Sequence, residues 1–185
     1  MPNGRQRGVT VWLIGLSGAG KSTIARSLYT GLLARGLEVE VLDADILRKH
    51  LNRDLDFSKE GRNENVRRLG FVAELLTHHG VIAIVAAIFP TAQLAWKSGK
   101  ESAAFSKYIW MPLERMRKER SYRTLLEGSQ RRDSPVYGID APYEEPLSSN
   151  IRRETKKETV KESTSKVLMA VLSFIGGQTS PKSRE

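Results

Sequence analysis

The chain contains no cysteine, few aromatic residues and no long apolar run. The absence of cysteine excludes a disulfide framework and thiolate chemistry, and it agrees with a reducing compartment. The longest apolar run, residues 81–89, is too short to cross a bilayer, and residues 1–8 lack the apolar core of a signal peptide. Aromatic residues make up only 7% of the chain and form no RNA-recognition pattern. These absences favour a soluble cytoplasmic protein that binds neither a membrane nor a nucleic acid.

The size and charge of the chain favour one domain with anionic partners. Its 185 residues, 39% of them hydrophobic, suffice for one well-packed domain and are too few for two. We therefore expect a single domain over residues 1–185, in which residues 1–8 and about 176–185 are flexible tails. The formal charge of +9, from 30 Lys and Arg against 21 Asp and Glu, favours nucleotides, phosphates or other anions without choosing among them.

Apolar strands alternate with amphipathic helices along the sequence. Continuous apolar runs with β-branched residues predict buried parallel strands, whereas apolar residues that recur every three or four positions predict helices. The predicted strands are residues 9–16, 38–43, 81–89 and 108–111, and the predicted helices are residues 21–36, 62–80, 113–132 and 160–175. Residues 150–155 are expected to form an edge strand, and a short helix is expected to begin near Ile46. This alternation predicts an α/β fold, a parallel sheet with helices on both faces.

The strongest motif is GLSGAGKS at residues 15–22, which matches the P-loop pattern GxxxxGK[ST] in full. Its glycines let backbone N–H groups converge on phosphate oxygens, Lys21 reaches the terminal phosphates, and Ser22 is suited to ligate the Mg²⁺ carried by ATP. A predicted strand precedes the motif and a predicted helix follows it, so a glycine-rich turn without a ligand is the minor alternative. The predicted ATP-binding residues are Gly15, Ser17, Gly18, Ala19, Gly20, Lys21, Ser22 and Thr23. The expected fold class is therefore a three-layer, P-loop kinase-like fold.

Other parts of the sequence narrow the reaction to that of a small kinase. No NKxD motif for guanine selection occurs, and the predicted strand VIAIVAAIFP ends without a Walker B acid. The second predicted strand brings Asp43 and Asp45 to the carboxyl edge of the sheet, where such folds bind ligands. Two carboxylates there are able to orient the waters of a metal and to take the proton of an acceptor hydroxyl. The alternative is that they cap the helix near Ile46, and Asp45 could do both.

Four ordered blocks of the sequence resemble the signature blocks of adenylylsulfate kinases (APS kinases). The blocks are LSGAGKST, LDADILRKHLNRDLDFS, GRNENVRRLG and GIDAPYEEP, where the family usually has LDGD, LNxDLGFS and DRxENIRR in the middle. The resemblance implies transfer of the γ-phosphate of ATP to the ribose 3′-hydroxyl of adenylyl sulfate, which gives PAPS and ADP. ATP and adenylyl sulfate are then the partners, and Mg²⁺ is the only implied metal. A homodimer is a further expectation from the family, although no residue pattern identifies its face.

The resemblance also implies roles for individual residues. Asp45 would be the base nearest to the acceptor hydroxyl, Asp43 would support the Mg²⁺ shell, and Lys21 would complete the catalytic set. The implied substrate-binding residues are Arg48, Phe57, Arg62, Asn65 and Ile139. Among them, the two arginines would neutralise the phosphosulfate, the asparagine would form a hydrogen bond nearby, and the phenylalanine would stack on the adenine. On residue type alone, the alternatives are solvated surface arginines and a phenylalanine in the core.

Two stretches depart from the family pattern. Phe89 stands where the family usually has a serine, the arginines that usually follow it are absent, and Val136 replaces a second adenine-stacking aromatic. Residues 115–140 keep about the spacing of the family but little of its sequence. For the basic run at residues 115–123, a solvated helix face is the alternative to a lid role. These departures leave two other hypotheses open: a kinase with a changed nucleotide or small-alcohol acceptor, and a non-catalytic nucleotide-binding module. The three histidines lack partners at metal-ligand spacing and are expected on helix surfaces or ends.

Overall fold

Five parallel strands form the central sheet of the computed structural model, which describes residues 6–88, 106–110, 149–152 and 158–176. The strands are β1 (Val9–Ile14), β2 (Val39–Asp43), β3 (Ile82–Ala87), β4 (Ser106–Trp110) and β5 (Ile151–Arg152). Their order is β2-β3-β1-β4-β5, and every neighbouring pair is parallel. The predicted parallel sheet is therefore confirmed, and β5 is the predicted edge strand, shortened to two residues.

Within the described residues, four helices connect or cover these strands. They are α1 (Lys21–Leu33), α2 (Ala44–His50), α3 (Lys59–His78) and α4 (Val160–Gly176). The turn after α1 contains Gly36 at φ 72°, so the predicted glycine stop is confirmed. Helix α3 begins three residues before the predicted start because the Ser58 hydroxyl oxygen accepts a hydrogen bond from the backbone N–H of Gly61 at 3.0 Å.

The two faces of the sheet carry separate apolar clusters, because successive residues of a strand point in opposite directions. Leu13 of β1 faces a cluster that includes Leu28 of α1 and Val167 of α4. Its neighbour Trp12 faces the other cluster, which includes Leu69 of α3. Helices therefore cover both faces, as the alternation of strands and helices predicted. In the described part of the chain, no helix is both long and apolar enough to span a membrane.

Several expectations fall on residues that the structure does not describe. They concern the predicted helix at 113–132, Phe89, residues 115–132, Val136, Ile139 and the predicted tails at residues 1–5 and 177–185. The expected flexible tail is wrong for residues 6–8: Gln6 Nε2 donates to the carbonyl oxygens of Glu38 and Gly80, both at 2.7 Å, and Gly8 is buried.

Candidate active site

A cleft of about 320 Å³ lies at the carboxyl ends of β1, β2 and β3. Ligands of parallel α/β sheets bind at this edge, because the loops that follow the strands converge there. The lining residues are Ser17, Gly18, Gly20, Lys21, Ser22, Thr23, Asp43, Ala44, Asp45, Ala86, Ala87 and Ile88. The cleft thus joins most of the predicted P-loop to the two predicted aspartates.

The loop between β1 and α1 has the backbone geometry that a phosphate site needs. Gly18 and Gly20 have φ angles of 77° and 86°, in the left-handed region that side-chain-bearing residues rarely adopt. Gly20 is also the N-cap of α1, and no side chain caps this helix. The backbone N–H groups of the first turn are therefore available to an anion, which the helix dipole also attracts. Of the predicted loop residues, Gly15 and Ala19 are buried and do not line the cleft.

The ammonium group of Lys21 rests on the loop in this structure. Its Nζ atom donates hydrogen bonds to the carbonyl oxygens of Gly15 at 2.9 Å and Leu16 at 2.7 Å. Burial lowers the pKa of Lys21 to about 8, while the negative charges of Asp45 and Asp43 oppose this shift. Lys21 is consequently still charged at neutral pH, although its pKa is lower than that of a surface lysine.

Asp43 is held by both of its carboxylate oxygens. Oδ1 accepts hydrogen bonds from the backbone N–H groups of Asp45 at 3.0 Å and Ile46 at 3.4 Å, which makes Asp43 the N-cap of α2. Oδ2 accepts a hydrogen bond from the Ser22 hydroxyl at 2.9 Å. A hydroxyl and a carboxylate oxygen are ligands that suit Mg²⁺, so this pair fits the metal that accompanies a nucleotide.

Asp45 does not cap α2, contrary to one of the two alternatives left open by the sequence. Helix α2 begins at Ala44, two residues before the expected position, and this moves the capping role from Asp45 to Asp43. Asp45 instead lies exposed in the first turn and lines the cleft. Within the described residues its side chain accepts no hydrogen bond, so its oxygens remain available to a ligand.

Arg48, Phe57 and Arg62 form a second group beside the cleft. The Phe57 ring has the guanidinium carbon of Arg48 at 4.5 Å and that of Arg62 at 5.5 Å from its centroid. Arg48 Nη1 also donates to the carbonyl oxygen of Asp56 at 2.7 Å, and Arg62 Nε donates to that of Phe57 at 2.9 Å. Partial burial lowers the pKa of Arg48, and the negative charges of Asp45 and Asp56 oppose this.

The structure bears on the alternatives for these three side chains. The Phe57 side chain is not part of the core, because the residue is 47% exposed. The two arginines are half-buried, and each contacts the Phe57 ring and a backbone carbonyl group, so neither side chain is fully solvated.

Asn65 lies deeper than its predicted neighbours and is only 6% exposed. Its Oδ1 atom accepts a hydrogen bond at 2.8 Å from Nδ2 of Asn52, a fully buried residue that sequence reasoning did not select. Asn52 Oδ1 in turn accepts from Arg68 Nη1 at 3.3 Å, and Asp54 pairs with the same arginine. The sequence did give one indication of these residues, because they lie in the stretches LNRD and ENVRR, which belong to two of the family blocks.

The histidines take no part in the site. His50 and His78 end α2 and α3, His79 follows, and all three are exposed as expected. Among the described residues, no three His, Cys, Asp or Glu side chains cluster as metal ligands would. The only metal-compatible feature identified above is the pair of oxygens from Ser22 and Asp43.

Comparisons with known proteins agree on one family. The family model described as adenylylsulphate kinase matches residues 7–154. The chain is 45% identical over 165 residues to an adenylyl-sulfate kinase of Microcystis aeruginosa, covering 88% of this chain and 91% of that protein. It is 42% identical over 166 residues to one of Gloeothece citriformis, covering 89% and 94%. The solved APS kinase of Mycobacterium tuberculosis in complex with AMPPNP and APS is 36% identical, with a TM-score of 0.77 over 90% of this chain and 98% of that one. The chain therefore belongs to the adenylylsulfate kinase family.

Proposed function

We propose that this protein transfers the γ-phosphate of ATP to the 3′-hydroxyl of adenylyl sulfate, giving PAPS and ADP. The observation that carries the proposal is the position of Asp43, which connects the part of the site proposed for ATP to the part proposed for the acceptor. Through its two oxygens, Asp43 joins Ser22 of the P-loop to the first turn of α2. The same helix carries Asp45 and Arg48. Relatives named adenylyl-sulfate kinase and a relative solved with AMPPNP and APS support the choice of substrates.

The donor half-site is the P-loop with the N-terminus of α1. Backbone N–H groups of the loop and of the first turn of α1 bind the phosphates of ATP, because this turn lacks a side-chain cap. Lys21 exchanges the carbonyl oxygens of Gly15 and Leu16 for phosphate oxygens, which are stronger acceptors for an ammonium group. Ser22 and Asp43 would hold the Mg²⁺ that accompanies ATP. When bound, this ion neutralises negative charge on the phosphates.

The acceptor half-site is the group Arg48, Phe57 and Arg62 together with Asn65. The half-exposed Phe57 ring offers a stacking surface for the adenine. Planar guanidinium groups pair well with phosphate and sulfate oxygens. The guanidinium carbons of Arg48 and Arg62 lie 4.5 and 5.5 Å from the centroid of this ring. A base next to two anionic groups is the shape and charge pattern of adenylyl sulfate.

Asp45 is the general base in this proposal. It takes the proton of the 3′-hydroxyl while the hydroxyl oxygen bonds to the γ-phosphorus, and the bond from that phosphorus to the bridging oxygen of ADP breaks. Asp43 is unsuited to this role because both of its oxygens already accept hydrogen bonds. Lys21 stabilises the charge on the transferring group.

The test is an ADP-release assay with Mg-ATP, with and without adenylyl sulfate, combined with detection of the 3′-phosphorylated product. For Asp45→Asn we expect kcat to fall on the order of 10²–10⁴-fold while ATP binding stays within about twofold, because a general base acts in the transition state. Glu60→Gln is the matched control, since it also removes a carboxylate from the first turn of a helix but lies on α3.

Three results would count against the proposal in different ways. Unchanged turnover in Asp45→Asn would show that Asp45 is not the base. Binding of both nucleotides without turnover in the wild type would favour a non-catalytic binding module. Turnover with another nucleotide or a small alcohol, and not with adenylyl sulfate, would favour a changed acceptor.

A further inference from the structure

A buried chain of hydrogen bonds runs from Arg68 through Asn52 to Asn65. Asn52 is fully buried and Asn65 is 6% exposed, so their amide groups must find partners inside the protein or on a bound ligand. Asn52 Nδ2 donates to Asn65 Oδ1 at 2.8 Å, and Asn52 Oδ1 accepts from Arg68 Nη1 at 3.3 Å. The chain therefore connects a charged side chain to a residue of the proposed acceptor half-site.

The direction of these hydrogen bonds follows from chemistry alone. A guanidinium group has donors only, so the Asn52 atom that faces Arg68 must be the amide oxygen. The Asn52 nitrogen then points to Asn65, and the atom of Asn65 that receives it must again be an oxygen. The Nδ2 group of Asn65 is left on the other side of its amide, and within the described residues it donates no hydrogen bond.

Arg68 is itself well fixed. Its Nη1 and Nη2 atoms donate to the two oxygens of Asp54 at 2.8 and 2.7 Å, and its Nε atom donates to Glu64 at 3.0 Å. A guanidinium that pairs with two carboxylates has little freedom to turn, because its planar donors match the carboxylate geometry. The fixed guanidinium group of Arg68 consequently sets the orientation of the Asn52 amide and, through it, that of the Asn65 amide.

We propose that Asn52 and Arg68 are positioning residues that turn the Asn65 amide so that its Nδ2 group, and not its oxygen, faces an anionic group of the acceptor nucleotide. The inference rests on the proposed function, because that function supplies the anion. A donor there attracts a phosphosulfate oxygen, whereas the amide oxygen would repel it. Without the two positioning residues, the Asn65 amide would be free to turn by 180° about its final bond.

Asn52→Asp is the decisive variant. An aspartate at this position keeps the shape and accepts from Arg68, and the adjacent positive charge keeps it ionised. It has no donor for Asn65, so the Asn65 amide turns and its oxygen faces the substrate. We expect the KM for adenylyl sulfate to rise about tenfold to a hundredfold, the scale of a hydrogen bond to a charged group. The kcat and the KM for ATP should stay within about twofold.

A double-mutant cycle separates positioning from a general structural role. If Asn52 acts through Asn65, Asn52→Asp has no further effect on the KM for adenylyl sulfate once Asn65→Ala is present. An equal effect in both backgrounds would overturn the proposal. Asn150→Asp is the matched control for the change of charge, because Asn150 is exposed beside β5 at the other edge of the sheet.

Nuclear magnetic resonance of the side-chain amides tests the orientation in the wild type, without any variant. We expect the Nδ2 protons of Asn52 to be protected from solvent exchange and those of Asn65 to shift when adenylyl sulfate is added. Protected Asn65 protons in the free protein would overturn the proposal. If the wild type neither binds nor phosphorylates adenylyl sulfate, the proposed function is wrong, and these spectra of the free protein still decide the amide orientation.

Discussion

Asp43 and Asp45 are two residues apart and have different environments. Asp43 accepts hydrogen bonds on both oxygens and ties the P-loop to α2, whereas Asp45 is exposed in the cleft one turn before Arg48. A carboxylate with satisfied oxygens is suited to hold its neighbours in position, and one with available oxygens is suited to exchange a proton. The difference arises from the start of α2, which places one aspartate at the cap and the other inside the helix.

We expect Lys21 to make ATP binding sensitive to alkaline pH. Its pKa of about 8 means that free protein loses this charge as pH rises through about 8, whereas an unfolded lysine keeps its proton up to 10.5. Burial of the charged form costs stability below pH 8, and this cost is relieved as pH rises between the two values. Folding stability and ATP affinity should therefore change in opposite directions across this interval.

We expect the Kd for an ATP analogue to rise up to about tenfold per pH unit above about pH 8, as measured by calorimetry. The free energy of unfolding should not fall in parallel. Lys21→Arg is the control, because its guanidinium stays charged and its weaker binding should not depend on pH. A wild-type Kd that is constant between about pH 7 and about pH 10 would contradict this assignment.

At the scale of secondary structure, the start of α3 depends on a small residue. Ser58 caps the helix through the backbone N–H of Gly61, and the hydroxyl and backbone N–H of Ser58 both donate to Asp56 Oδ1. A Cβ atom at residue 61 would overlap this oxygen and lie 2.6 Å from the Asp56 carbonyl oxygen. The loop that carries Phe57 therefore approaches α3 more closely than any side chain at residue 61 would allow.

Gly61→Ala should lower the free energy of unfolding by about 1–3 kcal/mol, the usual cost of inserting an atom into a packed region. The control is Gly70→Ala on the same helix, whose Cβ would meet Trp12 Cζ2 at an ordinary 3.8 Å. That change should stabilise the protein by about 0.5–1 kcal/mol, because alanine is the better helix former. Denaturant unfolding measures both, and equal effects of the two substitutions would show that the Asp56 contact is not the cause.

At the scale of the whole molecule, the central strand couples the two apolar clusters. Leu13 and Trp12 are adjacent in β1 and face opposite clusters. Unfolding of either helical layer would therefore expose one face of this strand. We propose that the described elements unfold as one cooperative unit, as a single domain requires.

Leu28→Ala and Leu69→Ala each remove a fully buried side chain, one from each face. We expect each to cost about 2–5 kcal/mol in the free energy of unfolding while a single transition is kept. Leu33→Ala is the control, because Leu33 belongs to α1 but is 52% exposed. Fluorescence and circular dichroism should give the same midpoint, and two separate transitions in either core variant would contradict the proposal.

The sequence alone determined the order of strands and helices, the parallel sheet, the P-loop and the family. These features depend on local patterns, because apolar periodicity, the glycine spacing of residues 15–22 and the ordered blocks are all readable within short windows. It also identified Asp43 and Asp45 as site candidates, since they lie at the end of the second predicted strand, and the family resemblance added Arg48.

Only the tertiary structure decided how the candidate residues divide their roles. Whether Asp43 or Asp45 caps α2 depends on where that helix starts, and this is coupled to the hydrogen bond from Ser22, 21 positions earlier in the chain. Asn52 in a loop and Asn65 in a helix are 13 positions apart in the sequence, and no sequence periodicity predicts their buried hydrogen bond. The physical reason is the same in both cases: a polar side chain acquires its role from the partners that packing brings to it, and packing is a property of the whole fold.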